Sequence, residues 1–404
     1  MTNSTLVLDD PLLDGQVLRL VGSAPYGGAD IGEALAAAAT IDGTDQTSWY
    51  EVWAALGDRV SGLAVEAQSQ GHRESARLAF WRASSYYRNA GLMLMQVPLD
   101  QRLVDSNQRQ TDAFRSGAAL MDHPPEILRI PFEGTTLPGY FFAVDDDPRP
   151  RPTAIVFGGY DATVEEQYFF NGAAALARGY NVLAFDGPGQ GSVLIHQGLP
   201  MRADWGSVIT PVVDYLQTRP DVDPDRIALI GLSLGGFLAP RAAAAEHRLA
   251  ACIGDCGSYD LYAGFLDLLP PATRAGFENG DAQVIEQVGD MLNQMAAQPT
   301  TGWSLRRGML VHAVPTPMAY IEAMKPYTLV GYAEQITCPT FVCNAEGDRI
   351  SVSVPKLVEA LTCEKEFVTF TAAEGAGSHC EGGARLLFHL RAFDWLDAIL
   401  QPES

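Results

Sequence analysis

Basic residues are scarce in this chain: 27 lysines and arginines stand against 49 aspartates and glutamates, a net charge of −22 over 404 residues. Nucleic acid and anionic membrane surfaces repel such a chain, so neither is expected as a partner. Long apolar runs are missing as well, and no stretch approaches the roughly 20 residues that a membrane span needs. The N-terminal Met1-Thr2-Asn3-Ser4-Thr5-Leu6 has no basic segment followed by an apolar core, so no secretory leader is expected and a cytoplasmic location is. Six cysteines are too few and too scattered for a disulfide framework. Cys252/Cys256 and Cys338/Cys343 fall in or beside presumed strands and read as reduced, buried thiols. Neither pair is backed by a second ligand pair, which argues against a zinc site; no metal and no cofactor are expected. What is present is ample core material, with 47% hydrophobic and 19% charged residues.

The most informative stretch is Gly231-Leu232-Ser233-Leu234-Gly235. It follows the apolar run Arg226–Ile230 and precedes the small-residue run Gly236–Ala243, a strand feeding a sharp turn that opens a helix. Glycines at both ends let strand and helix pass closely, and the turn lifts the serine hydroxyl clear of the backbone. A serine becomes a nucleophile only when a base takes its proton and a third group orients that base. Both partners are found downstream. The strand Cys338–Asn344 runs into Ala345-Glu346-Gly347-Asp348, where Asp348 is the chosen acid and Glu346 its local competitor. The strand Glu366–Phe370 leads to Gly375-Ala376-Gly377-Ser378-His379, and His379 alone among seven histidines combines chain order, glycine-rich loop and preceding strand. His72 and His247 read as surface residues and His389 as core; His196 and His312 are candidates to line a pocket. The turn Gly158-Gly159-Tyr160-Asp161, after the buried-looking strand Thr153–Phe157, suits an oxyanion hole built from the backbone amides of Tyr160 and Leu234.

Helical periodicity dominates before residues 120–130. Helices are predicted over Ile31–Ala39, Thr47–Gln68, His72–Ala90 and Asn107–Met121, with Trp49, Trp53, Phe80, Trp81, Tyr86 and Tyr87 as core candidates. Strand signals follow. Glu126–Phe132 and Leu137–Val144 read as an antiparallel pair, and strands at 153–157, 181–186, 226–230 and 250–254 then alternate with helices. Such alternation means crossover connections and a mostly parallel, doubly wound sheet with helices on both faces. The rhythm breaks between the strand near 250–254 and that at 339–343, where over 80 residues replace a short crossover. The excess reads as a lid, with a dimerisation surface as the competing reading.

Asp186-Gly187-Pro188-Gly189-Gln190-Gly191 together with Gly231–Gly236 resembles the α/β-hydrolases. Gly27–Glu33 and Arg82–Arg88 are similar to a narrower group, that of 2,6-dihydroxypseudooxynicotine hydrolase and the fungal polyketide chain-shortening hydrolases. The resemblance covers nearly the whole chain. It implies an α/β-hydrolase fold with an N-terminal helical cap at 1–123, a catalytic domain at 124–404 and a lid insertion at about 262–335. It further implies a Ser233-Asp348-His379 triad, a homodimer, and an additional acid near the cap for which Asp267 is the positional counterpart.

Ester hydrolysis and hydrolysis of a C–C bond beside a ketone both follow from such a triad acting on a small organic carbonyl compound. The aromatic residues of the N-terminal helices point to an apolar or aromatic substrate. Two other classes stay open: a peptidase relative, for which Glu165-Glu166 would have to grip a substrate amine, and a non-hydrolytic biosynthetic protein on the same scaffold.

Overall fold

The computed structural model describes residues 5–400, so the first four residues of the stretch read for a leader lie outside it. Among the described residues, eight strands form one sheet: β1 (Glu126–Phe132), β2 (Thr135–Phe142), β3 (Arg151–Phe157), β4 (Asn181–Phe185), β5 (Val222–Leu232), β6 (Ala251–Asp255), β7 (Thr340–Ala345) and β8 (Lys365–Phe370), in the order β1-β2-β4-β3-β5-β6-β7-β8. β1 pairs antiparallel with β2 and β2 with β4; every other pairing is parallel. Burial follows position. β3, β4 and β6 are buried along their whole length, as strands covered on both faces must be, whereas edge strand β1 alternates exposed and buried. Ile155 and Phe157 join one hydrophobic cluster, and their neighbours Ala154 and Val156 join another. That is the period-two alternation that feeds a core on each side of the sheet.

The N-terminal region is helical: α1 (Pro11–Val21), α2 (Ile31–Ala38), α3 (Gln46–Ser69), α4 (Arg73–Leu92) and α5 (Gln101–Ala118). Aspartates at 10, 30, 45 and 100 cap α1, α2, α3 and α5 by accepting from first-turn amides. Two of these elements depart from the sequence reading. α1 was not anticipated although Asp10-Pro11 is a cap followed by proline at N1, and α5 begins at Gln101 rather than Asn107 because Asp100 opens it. Trp49, Trp53, Phe80, Tyr86 and Tyr87 are buried in a cluster of their own.

Between β6 and β7 the chain forms helices Leu261–Leu266, Pro271–Glu278, Ala282–Ala296, Trp303–Val311 and Pro317–Ala323. This insertion docks on the N-terminal helices. Trp303 is buried among them and its Nε1 donates to Leu92 O at 3.0 Å, while Thr300 Oγ1 donates to Asp10 Oδ2 at 2.8 Å. No described helix is long and apolar enough to cross a membrane.

Beneath the C-terminal ends of β6 and β7 lies a buried ionic knot. Arg385 Nη1, from helix Arg385–Leu400, donates to Asp255 Oδ2 at 2.6 Å and to Glu381 Oε2 at 3.1 Å. All three side chains are at most 1% accessible, so the guanidinium is what holds two carboxylates together in a dry interior. One cation neutralises one anion. Accordingly, burial pushes Asp255 up to about 6 despite Arg385, and pushes Glu381 well above the ordinary carboxylate range. Arg385→Ala removes the one cation that bonds these carboxylates among the described residues and is expected to lower the unfolding free energy by about 3–5 kcal/mol in urea denaturation. A loss under about 1 kcal/mol would mean that the knot does not hold the fold.

Candidate active site

β5 ends at Leu232, and Ser233 follows with φ +65, a left-handed backbone that non-glycine residues rarely take. Its neighbours explain how it is held there. A Cβ on Gly231 would lie 2.0 Å from Gly235 O, one on Gly235 would lie 2.8 Å from Gly158 O, and one on Gly236 would lie 2.4 Å from Asp255 O. The elbow is therefore wedged between the ends of β3, β5 and β6, and only glycine fits those positions. Ser233 N donates to Asp255 O at 3.0 Å and Gly236 N to Ser233 O at 2.8 Å.

The three residues expected to work together converge. His379 Nδ1 lies 2.7 Å from Asp348 Oδ2, and its Nε2 lies 2.8 Å from Ser233 Oγ. An ionised carboxylate can only accept, so Nδ1 carries the proton and Nε2 is left to accept from the serine hydroxyl. Asp348 is buried, and its other oxygen accepts from Ile350 N at 2.9 Å, which fixes the carboxylate plane. The competitor Glu346 is exposed and accepts from Ala372 N at 2.8 Å instead. Burial alone would lower the imidazole pKa; the hydrogen bond and charge of Asp348 outweigh it and set the imidazole above its ordinary value.

The Gly159-Tyr160 turn lies directly across from the serine. A Cβ on Gly159 would sit 2.7 Å from Leu234 N and 3.1 Å from Ser233 Oγ, so the missing side chain leaves space beside both groups. Neither the Tyr160 nor the Leu234 amide has a protein acceptor among the described residues. The turn is clamped from every side. Gln190 Nε2 donates to Gly158 O at 2.5 Å. The Tyr160 hydroxyl is bonded to His312 Nε2 at 3.0 Å and accepts from Tyr320 at 3.3 Å. Asp161 binds Arg19 and Arg307, each at 3.2 Å, and Arg88 donates to its carbonyl at 3.1 Å. Arg19 also reaches Glu166 at 2.6 Å. These arginines come from α1, α4 and the inserted helix Trp303–Val311, and nothing in their local sequence marked them as site residues.

Other sequence candidates fall elsewhere. Asp267 is not brought to the serine: its side chain is half exposed on the insertion surface and pairs with Arg274 seven residues on, so position after β6 misplaced it. His389 is buried and bonds to Phe170 O, His196 pairs with Asn107, and His312 is buried against Tyr160, where desolvation pushes it down to about 4. Glu165 is taken up by Thr111 and Tyr140, and Glu166 by Arg19, so neither is free to grip an amine. Trp49, Trp53, Phe80 and Tyr86 pack within the N-terminal cluster, and Trp81 packs on Tyr168 and Phe169 behind the sheet, so none of these lines the serine. Tyr87 lines a cavity with Arg88, Asn107, Gln110 and Asp161 beside the Tyr160 turn.

Residues 158–392 match the alpha/beta hydrolase family, and residues 36–261 match the FrsA-like esterases. The chain belongs to the α/β-hydrolase family. Similar proteins include hydrolase LUC6 of a Fusarium species, 34% identical over 95% of each chain. The 20-hydroxy-prefusarin hydrolase FUS2 of Gibberella moniliformis is 33% identical, again over 95% of each. Among solved structures, the 2,6-dihydroxy-pseudo-oxynicotine hydrolase superposes with a TM-score of 0.74 at 24% identity, covering 94% of this chain and 95% of its own, a likeness of fold. As an α/β-hydrolase the chain is an enzyme of hydrolysis.

Filling the space at residue 159 tests the turn. Gly159→Ala is expected to lower kcat by about 10²–10³-fold, the scale of losing an oxyanion donor, while the protein still folds by circular dichroism. A variant with undiminished kcat would show that nothing charged develops there.

Proposed function

We propose that this α/β-hydrolase cleaves a small organic carbonyl compound through an acyl-enzyme on Ser233, with His379 as general base and Asp348 orienting it. The observation that carries this reading is the unbroken relay from Asp348 Oδ2 to His379 to Ser233 Oγ, with contacts of 2.7 and 2.8 Å. His379 Nε2 takes the serine proton as Oγ attacks the carbonyl carbon. The negative oxygen of the tetrahedral adduct is received by the Tyr160 and Leu234 amides, which act without reorganising because the turn around them is already fixed. The imidazolium then returns its proton to the departing atom. For an ester that atom is oxygen; for a C–C bond beside a ketone it is carbon, whose developing negative charge is spread into an enolate or phenol-bearing group until the proton arrives. Water repeats the sequence on the acyl-enzyme.

Residues 1–123 serve as a cap and the insertion at about 262–335 as a lid. Supporting this, Arg19, Arg88 and Arg307 all end on Asp161, the residue beside the Tyr160 amide. A substrate among small organic carbonyl compounds is favoured by the relatives, one of which is named for 20-hydroxy-prefusarin. A peptidase reading is disfavoured by the committed Glu165 and Glu166 side chains.

The test is a panel of aryl esters, peptides and aromatic β-diketones run with wild type and Ser233→Ala. The best substrate is expected among the esters or diketones, with turnover falling about a million-fold in the variant. The wild-type rate should fall on the acid side with a midpoint above the ordinary imidazole value of about 6.5, because a protonated His379 cannot accept. Full turnover by Ser233→Ala would end the proposal.

A further inference from the structure

Cysteine spacing in the sequence argued against a zinc site, yet the fold assembles thiols that the chain keeps far apart. Cys256 follows β6 and Cys380 follows His379. The Sγ atoms of both and a ring nitrogen of His379 all lie within 4.8 Å of one another. Cys380 Sγ is 3.5 Å from His379 Nε2, the same nitrogen that faces Ser233 Oγ. In a tetrahedral zinc site with ordinary Zn–S and Zn–N bonds, a sulfur and a nitrogen ligand are separated by about 3.6 Å. The spacing is already that of a ligand pair.

Cys256 has φ +50 and Cys380 has φ +52, left-handed positions that an L-residue rarely takes. Both side chains are buried; Cys380 Sγ faces the imidazole, and Cys256 Sγ, which donates to Glu381 Oε1 at 3.3 Å, lies beside it. A second cluster, of Asp255, Cys256, Cys343 and Glu381, is equally close-set. Its carboxylates already hold the Arg385 guanidinium, which repels a further cation. On the His379 side Arg385 reaches only the Cys380 carbonyl, at 3.1 Å, and among the described residues no cation is bonded to the imidazole or to either thiol.

We propose that Cys256, Cys380 and His379 Nε2 form an inhibitory site for a thiophilic divalent cation, zinc above all. On binding, the cation forms two metal–sulfur bonds and one metal–nitrogen bond, and two thiol protons leave to solvent; its oxidation state is unchanged. The fourth position is open to water or to Ser233 Oγ. The Nε2 lone pair that would take the serine proton is occupied, and hydrolysis stops. About a third of the His379 side chain is accessible, which gives a cation a route to the ring. The inhibitory consequence rests on His379 being the base; the binding does not.

Both can be read on the reduced, metal-free full-length protein. Titration with cadmium should raise a thiolate-to-cadmium charge-transfer band at one equivalent in wild type and in Ser233→Ala, and zinc should inhibit wild type reversibly, with recovery on adding EDTA. Cys256→Ser and Cys380→Ser, each compared with its own metal-free rate, should lose zinc sensitivity by at least about 100-fold, the upper end of what losing even an outer-sphere partner costs. Cys343→Ser should keep both band and inhibition. No band in wild type, or a band abolished by Cys343→Ser and untouched by Cys380→Ser, would overturn the site. A band without inhibition would overturn its inhibitory role and point instead at the assignment of His379 as base.

Discussion

The left-handed turn at Ser233 is the constraint around which the site is arranged. A non-glycine residue in that conformation costs on the order of 1–3 kcal/mol and persists only where its surroundings leave no alternative. Here the surroundings are backbone: Gly231 against Gly235, Gly235 against Gly158, and Gly236 against Asp255. Strands β3, β5 and β6 therefore meet at one point, and that point fixes the serine hydroxyl relative to the Gly159-Tyr160 turn. β7 and β8, next along the sheet, deliver Asp348 and His379 to the same edge. Chemistry at the C-terminal ends of parallel strands is the usual arrangement in such sheets.

A second layer of order is ionic and links parts remote in the chain. Asp161, just before the first helical turn after β3, and Glu166, within it, are met by arginines from α1, α4 and the insertion. These groups are largely buried, so their attraction is little screened by solvent. The burial that disfavours each charge is offset only while all the partners are in place. Loosening of the insertion would thus be felt at Asp161, one residue from the Tyr160 amide. The N-terminal helices, the insertion and the Gly159-Tyr160 turn are coupled by charge.

Ser233, Asp348 and His379 were legible in the sequence because each lies in a turn with local chemistry: glycines around the serine, a strand ending in Glu-Gly-Asp, and a glycine-rich loop before the histidine. The parallel sheet was legible for a similar reason, since burial on both faces writes continuous apolar runs. What could not be read were relations between distant segments. Nothing near residues 19, 88 or 307 announces that these arginines share Asp161 as a partner, and nothing at 256 or 380 announces a shared imidazole. Asp267 shows the converse error. Its place after β6 suited an additional acid, but a helix end sets its direction, and it turns to Arg274. The start of α1 was readable in Asp10-Pro11, with Leu13, Val17 and Leu20 at helical spacing behind it.

The most direct measurement is the location of the covalent intermediate. Turnover of a slowly deacylated ester is quenched in acid within the burst, and the acyl mass is mapped by peptide mass spectrometry. The expected result is one acyl group on the peptide carrying Ser233, absent when His379 is replaced by alanine. An acyl group on Cys380 or Cys256 instead, or a burst with no protein-bound acyl at all, would contradict the serine as the reacting atom.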